Sequence, residues 1–132
     1  MSVSSRYPLV GLDVGMVLVI GRFYGPNAVK NRVMALDTGS SLTVLTYRAI
    51  RELRMDPEHP LEYRRTFAWG DSHQAPILTV PRVRVFGQEV RNLEVACGDL
   101  PPELNIDGVL GLNFLRHFDL RINFREEYVE LR

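Results

Sequence analysis

The chain has 132 residues, of which 45% are hydrophobic and 24% are charged. It can therefore bury one modest core, and it is too short for two ordinary domains. Sixteen basic residues balance sixteen acidic ones, and no dense run of Lys and Arg occurs along the sequence. This composition argues against nucleic acid or an anionic membrane as a partner.

A single cysteine, Cys97, excludes an internal disulfide and fits a reducing compartment. The apolar stretch over residues 9–20 is interrupted by glycines and an aspartate. It also lacks the basic flank and the small-residue cleavage site that a signal peptide carries. We therefore expect neither a signal peptide nor a membrane span, and we expect a cytoplasmic location.

The first part of the chain predicts short β elements. After a small polar tail, branched apolar residues alternate with glycine over residues 8–23, which predicts a hairpin. A turn is expected at residues 25–27, Gly-Pro-Asn. The continuous apolar run over residues 33–36 ends at Asp37 and predicts a strand that is buried on both faces.

The rest of the chain predicts further short strands around one or two small helices. Thr46 is placed to cap a helix over residues 47–54, and residues 112–117 predict a short helical turn. The other strand candidates are residues 42–45, 61–68, 77–86, 89–96, 108–111, 120–124 and 129–131. Many short strands separated by turn residues are typical of a mainly antiparallel β domain.

The buried strand candidate over residues 33–36 leads directly into Asp37, Thr38, Gly39 and Ser40. Hydrolysing an amide without a metal, serine or cysteine requires an activated water. Two carboxylates that share one proton can provide it, one as the base and the other as the acid. Gly39 lets the backbone approach closely, and the hydroxyls of Thr38 and Ser40 can hold the loop in place. Asp37 is therefore a candidate catalytic acid.

Two segments carry a resemblance to a known family. Residues 34–45, Met-Ala-Leu-Asp-Thr-Gly-Ser-Ser-Leu-Thr-Val-Leu, are followed by residues 107–115, Asp-Gly-Val-Leu-Gly-Leu-Asn-Phe-Leu. In that order they resemble the two hallmark segments of the retropepsin-like aspartic peptidases, and the resemblance is strongest to small bacterial members.

The resemblance covers nearly the whole chain and implies both a fold and an activity. The fold is a closed, antiparallel, β-barrel-like acid-protease fold with one or two short helices. It occupies residues 11–132, after an N-terminal tail and first strand in residues 1–10. The implied activity is that of an aspartic endopeptidase, which acts as a homodimer on a peptide or protein substrate and needs no cofactor.

The resemblance also assigns roles to individual residues. Asp37 is the catalytic acid or base, Thr38 locks two loops together across the dimer axis, and Gly39 contacts the substrate backbone. Ser40 belongs to the same loop. The element that braces this loop consists of Val109, Leu110 and Gly111.

Residues 66–74 fall where the family carries its flap, a hairpin that closes over bound peptide. The expected flap residues are Phe67, Trp69, Gly70 and Asp71. A single glycine and a bulky tryptophan distinguish this segment from the flaps of better-known members. Because Asp-Thr-Gly occurs once, the bilobal form with both acids on one chain is excluded, and a second copy must supply the other aspartate.

Other chemistries fit the sequence less well, and two other functions stay open. The three histidines and Cys97 show no metal-ligand spacing, so no metal is predicted. Ser40 and Ser41 lack the elbow motif of a serine nucleophile.

The first open alternative is a non-catalytic dimerisation or peptide-binding module that retains the fold. The second is a peptidase that only processes its own precursor.

Overall fold

The computed structural model describes residues 5–68 and 71–132, without the side chains of residues 67, 68, 71 and 72. The strands of this part are β1 (Arg6–Pro8), β2 (Leu18–Tyr24), β3 (Val29–Leu36), β4 (Thr43–Leu45), β5 (Glu62–Ala68), β6 (Asp71–Val85), β7 (Gln88–Cys97), β8 (Gly108–Leu110), β9 (Leu120–Asn123) and β10 (Tyr128–Leu131). Its α-helices are α1 (Tyr47–Glu52) and α2 (Leu112–Leu115), and neither is long and apolar enough to span a membrane. The predicted mainly β class with one or two short helices is confirmed.

Six of the strands close into a barrel. Their hydrogen-bonded order is β2, β3, β8, β4, β7 and β6, and β6 pairs again with β2 to close the ring. Strand β5 extends the sheet along the far part of the long strand β6, and β1, β10 and β9 form a separate three-stranded sheet. Closure removes the exposed edges that an open sheet of this size would carry. The closed, barrel-like fold expected from the resemblance is confirmed.

Strand β8 decides where the loop after β3 lies. It is inserted between β3 and β4, parallel to β3 and antiparallel to β4. Strand β4 in turn runs parallel to β7, so the mainly antiparallel barrel contains two parallel pairs. Because β8 separates two strands that are neighbours in the sequence, residues 37–42 must cross over the end of β8 to reach β4.

The predicted hairpin over residues 8–23 is wrong. Strand β1 pairs with β10 and not with β2. Between β1 and β2, a 3-10 turn (Leu12–Val14) lies between Gly11 and Gly15, whose φ angles of 99° and 77° are in the left-handed region that glycine adopts readily. The glycines that interrupt the apolar pattern therefore form a connection between two sheets.

The core fills the barrel and extends under α1. In β3, Met34 is fully buried, whereas its neighbours Val33 and Ala35 are half-buried, so this strand is less enclosed than predicted. Helix α1 contributes Ile50 to the same core. Its first turn is capped as predicted, because the Ala49 amide donates a hydrogen bond of 3.1 Å to the Thr46 hydroxyl.

Cys97 lies at the end of β7 with its side chain in this core. Burial raises the pKa of its thiol to about 11, because the apolar surroundings disfavour the thiolate. The thiol therefore stays protonated at neutral pH and is a poor nucleophile.

Candidate active site

The loop over residues 37–42 leaves the barrel directly after β3. The Asp37 amide donates a hydrogen bond of 3.0 Å to the Leu110 carbonyl, which continues the parallel pairing of β3 with β8 by one residue. The amide of Leu112, at the start of α2, donates to the Ser40 carbonyl at 2.8 Å. The loop is thus fastened on both sides to β8 and α2.

The Asp37 side chain is held by its own loop. Its Oδ1 accepts a hydrogen bond of 2.8 Å from the Gly39 amide, and the Ser40 hydroxyl donates to the Leu42 carbonyl at 2.7 Å. A Cβ on Gly39 would lie 3.1 Å from Asp37 Oδ1, so a larger residue here would crowd the carboxylate. Glycine at this position allows the carboxylate to fold back onto the backbone.

The top of the loop faces outward. Asp37, Thr38 and Gly39 are all exposed in the single chain, whereas Ser40 is half-buried. The Thr38 hydroxyl makes no hydrogen bond to any part of the chain that the structure describes. A carboxylate on a loop that is anchored at its base and open at its top is accessible to a second molecule.

The predicted supporting segment lies beside the loop. Val109 pairs with Ala35 of β3 on one side and with Val44 of β4 on the other, and Leu110 is fully buried. At Gly111, a Cβ would lie within 2.4–2.8 Å of backbone atoms of residues 40 and 42. The loop therefore packs directly on the Gly111 backbone, and a side chain there has no space.

A polar network beneath the loop was not predicted from the sequence. Oδ1 of Asn113 accepts hydrogen bonds from the amide and the hydroxyl of Thr43, at 2.8 and 2.9 Å. Its Nδ2 donates to the Glu94 carbonyl at 2.7 Å, and the Thr43 hydroxyl accepts from the Gly111 amide at 3.2 Å. Thr43 is fully buried. The network therefore joins α2, β4, β7 and the end of β8 under the loop.

Asp107 is a second supporting residue that the sequence reasoning did not single out. Its carboxylate accepts a hydrogen bond of 2.8 Å from the Val33 amide, and its own amide donates to the Val33 carbonyl at 2.8 Å. Its carbonyl accepts from the Thr46 amide at 2.9 Å. Asp107 thereby sets the register of β8 against β3 and ties both to the start of α1. The sequence feature that could have identified Asp107 is its position directly before the apolar segment over residues 108–111, which begins and ends with glycine.

The expected flap lies on the arms formed by β5 and β6. Backbone pairing runs from Glu62 opposite Ile77 to Ala68 opposite Asp71, and Phe67 lies opposite Ser72. The backbones of Phe67 and Asp71 therefore belong to paired strands, while Trp69 and Gly70 lie outside the described residues. Both arms of the predicted hairpin are present.

We expect Asn113→Ala to lower the free energy of unfolding by about 2–3 kcal/mol, because it leaves the polar groups of Thr43 and the Glu94 carbonyl without their partner. Urea unfolding followed by circular dichroism measures this loss. The control is Asn31→Ala, since Asn31 is exposed and accepts one side-chain hydrogen bond of 3.3 Å. A loss no larger than that of the control would show that the network does not support the fold.

The closed barrel, with an Asp-Thr-Gly loop anchored on an inserted parallel strand, defines the fold of a single-lobed acid protease. The sequence comparison leads to the same class: the chain belongs to the aspartyl protease family, whose model matches residues 21–114. No curated protein matches the sequence.

The structural comparison is consistent with that family. The fold is similar to that of a retropepsin-like aspartic protease from Rickettsia conorii, with a TM-score of 0.72. The match covers 98% of this chain and 89% of that chain at 22% sequence identity. The retropepsin-like fold expected from the two sequence segments is confirmed.

Proposed function

We propose that the chain is an aspartic endopeptidase whose active site forms when two copies bring their Asp37 carboxylates together. The observation that carries this proposal is the geometry of the loop. One exposed carboxylate, held by the Gly39 amide, stands on a base fastened to β8 and α2. Because the sequence contains one Asp-Thr-Gly, a two-fold dimer is the arrangement that places a second carboxylate opposite the first.

The proposed reaction uses the two Asp37 side chains in different protonation states. Two carboxylates a few ångströms apart cannot both ionise easily, so the pair holds a single proton over the pH range between its two ionisations. The ionised carboxylate takes a proton from a water, whose oxygen attacks the peptide carbonyl carbon. The protonated carboxyl gives its proton to the carbonyl oxygen. Collapse of the tetrahedral intermediate and proton transfer to the leaving nitrogen then release an acid and an amine.

Within this proposal, the exposed loop residues face the partner and the substrate. The Thr38 hydroxyl, which has no hydrogen-bond partner in the described part of the chain, is free to bond with the loop of the second copy. Gly39 exposes backbone that can contact a substrate peptide. Ser40 is turned inward and bonds within the loop, so its role is to fix the loop conformation.

Extended peptides are the substrates that suit this arrangement. Among the described strands, β5 pairs with β6 on one side and with no strand on the other. Its free edge offers unpaired backbone groups, and an extended peptide can bond to such an edge as an added strand. Strand pairing recognises the backbone of the peptide. Pockets beside the bound peptide then determine which side chains are preferred.

The experiment that tests the proposal is a cleavage assay on a peptide library from acid to neutral pH. We expect a bell-shaped profile of kcat/KM, because only the singly protonated pair contains both a base and an acid. Mass spectrometry of the products should show cuts inside the peptides. If the purified protein is folded and dimeric but cuts no library peptide at any pH, the proposal is contradicted. That result would favour the non-catalytic module.

A further inference from the structure

An arginine-rich surface lies on the outside of the barrel, where β2, β6 and β7 run side by side. Strand register places Arg22 opposite Arg84, Tyr24 opposite Arg82, Arg82 opposite Arg91 and Arg84 opposite Glu89. All of these side chains are exposed or half-exposed. We call this set the basic face: Arg22, Tyr24, Arg82, Arg84, Glu89 and Arg91.

The positive charge of the basic face is only partly compensated. Glu89 lies within 3.1 Å of Arg82 Nε and 3.4 Å of Arg91 Nε. Arg22 instead bonds to neutral groups, the Tyr24 hydroxyl at 3.1 Å and the Asn31 side chain at 3.3 Å. Arg84 forms no ion pair with any described residue. Two neighbouring guanidinium groups, those of Arg22 and Arg84, thus lack a carboxylate.

This arrangement has a cost within the single chain. Like charges directly opposite one another on neighbouring strands are destabilising. The pair Arg22–Arg84 has this geometry without a carboxylate beside it, whereas Glu89 contacts both members of the pair Arg82–Arg91. The arginines also affect Tyr24, because hydrogen bonds from the Arg82 and Arg22 guanidinium groups lower the pKa of the tyrosine hydroxyl. An anion between Arg22 and Arg84 would remove the repulsion.

We infer that the basic face binds an acidic, extended segment of a protein partner, which under the proposed function is a substrate protein. Carboxylates of the segment pair with the guanidinium groups of Arg22 and Arg84. Arg22 and Arg84 stand directly opposite one another on β2 and β6, with their Cβ atoms about 5 Å apart. Alternate side chains of an extended peptide lie on one face about 7 Å apart, a distance that the two long arginine side chains can span, so aspartate or glutamate at every second position can pair with both.

Charge distribution favours an acidic peptide over nucleic acid. The basic face carries four arginines and one glutamate, a net charge of +3, whereas the whole chain has a net charge of zero with neutral histidines. The rest of the molecule therefore carries −3. A long polyanion that extended past the basic face would meet a remainder with no net positive charge to attract it, whereas a short acidic segment fits within the basic face.

The basic face is separate from the candidate active site. Asn31, which lies beside Arg22, precedes Asp37 by six residues along β3 and the loop, a distance of about 20 Å in extended chain. A substrate could therefore be held by an acidic segment on the basic face while another of its segments reaches the Asp37 loop. Binding at the basic face raises the local concentration of the substrate without changing the chemistry.

The test measures binding and cleavage in separate arms. In the first arm, fluorescence anisotropy follows a labelled peptide of alternating glutamate and serine with Asp37→Asn protein, which cannot consume the probe. We expect Arg22→Gln with Arg84→Gln to weaken binding about fivefold or more, and high salt to weaken it further. The matched control, Arg48→Gln with Arg125→Gln, removes two exposed arginines elsewhere and should bind like the parent.

Three results in this arm would overturn the inference: equal binding by the Arg22/Arg84 variant, equal binding of a glutamine–serine peptide, or tighter binding of a single-stranded oligonucleotide of the same charge. In the second arm, a neutral reporter peptide should be cleaved equally by the wild type and the Arg22/Arg84 variant. When the reporter carries an acidic extension, the kcat/KM of the Arg22/Arg84 variant should be lower than that of the wild type. If the wild type fails to cleave the neutral reporter, the proposed function is contradicted. The binding result of the first arm does not depend on that outcome.

Discussion

Replacing Asp37 with asparagine should reduce peptide cleavage by about 10³-fold or more, because neither copy then supplies an ionisable carboxylate to activate water. The asparagine side chain has nearly the same size, and its Oδ1 can still accept the 2.8 Å hydrogen bond from the Gly39 amide. The fold and the dimer should therefore persist. The loss of repulsion between two carboxylates should make the dimer tighter at neutral pH.

Cleavage of a fluorogenic peptide measures the first effect, and sedimentation over a range of concentrations measures the second. Asp99→Asn is a matched control, because Asp99 is also an exposed loop aspartate and lies outside the candidate site. It should cleave at the wild-type rate. If the Asp37→Asn protein dimerises and cleaves at that rate as well, then Asp37 is not the catalyst and the proposed function is wrong.

Gly111→Ala should strongly destabilise the fold. The new Cβ would lie 2.4 Å from the Leu42 carbonyl oxygen, 2.6 Å from the Leu42 carbonyl carbon and 2.8 Å from the Ser40 carbonyl oxygen. These are backbone atoms, so no side chain can rotate to relieve the contact. We expect a loss of about 3 kcal/mol or more in the free energy of unfolding, with displacement of the loop that carries Asp37.

Gly98→Ala provides the comparison for this prediction. A Cβ on Gly98 would meet only Val44 Cγ1, at 3.4 Å, so this variant should unfold close to the wild-type denaturant concentration. Chemical denaturation of both variants, with peptide cleavage measured on the folded fraction, separates stability from activity. Equal stability of the two variants would mean that the loop does not pack on Gly111 as described.

The parts of the site that the sequence predicted are those encoded by short contiguous segments. Asp37 and Gly39 stand two positions apart, and one hydrogen bond joins them. The Thr46 cap is likewise a local feature, since its hydroxyl accepts from an amide three residues later. Such local rules depend on neighbouring residues, and a sequence displays neighbours directly.

The parts that the sequence did not predict depend on residues far apart in the chain. Thr43 and Asn113 are 70 positions apart, and their contact exists because β8 is inserted beside β4. Alternation of apolar residues predicts strands and the faces they bury, but it carries no information about parallel insertion. The basic face has the same origin, since its arginines come from three strands and form no cluster along the sequence.

The central claim, that each active site contains Asp37 from two copies, is tested most directly by mixing wild-type and Asp37→Asn protein. The total concentration is held fixed, well above the dimer dissociation constant, and the subunits are allowed to exchange before peptide cleavage is measured. If both carboxylates are required, an equal mixture should retain about one quarter of the wild-type activity after random exchange, and less than that where the loss of carboxylate repulsion favours mixed dimers. Retention of about one half, as independent subunits would give, would contradict the shared active site.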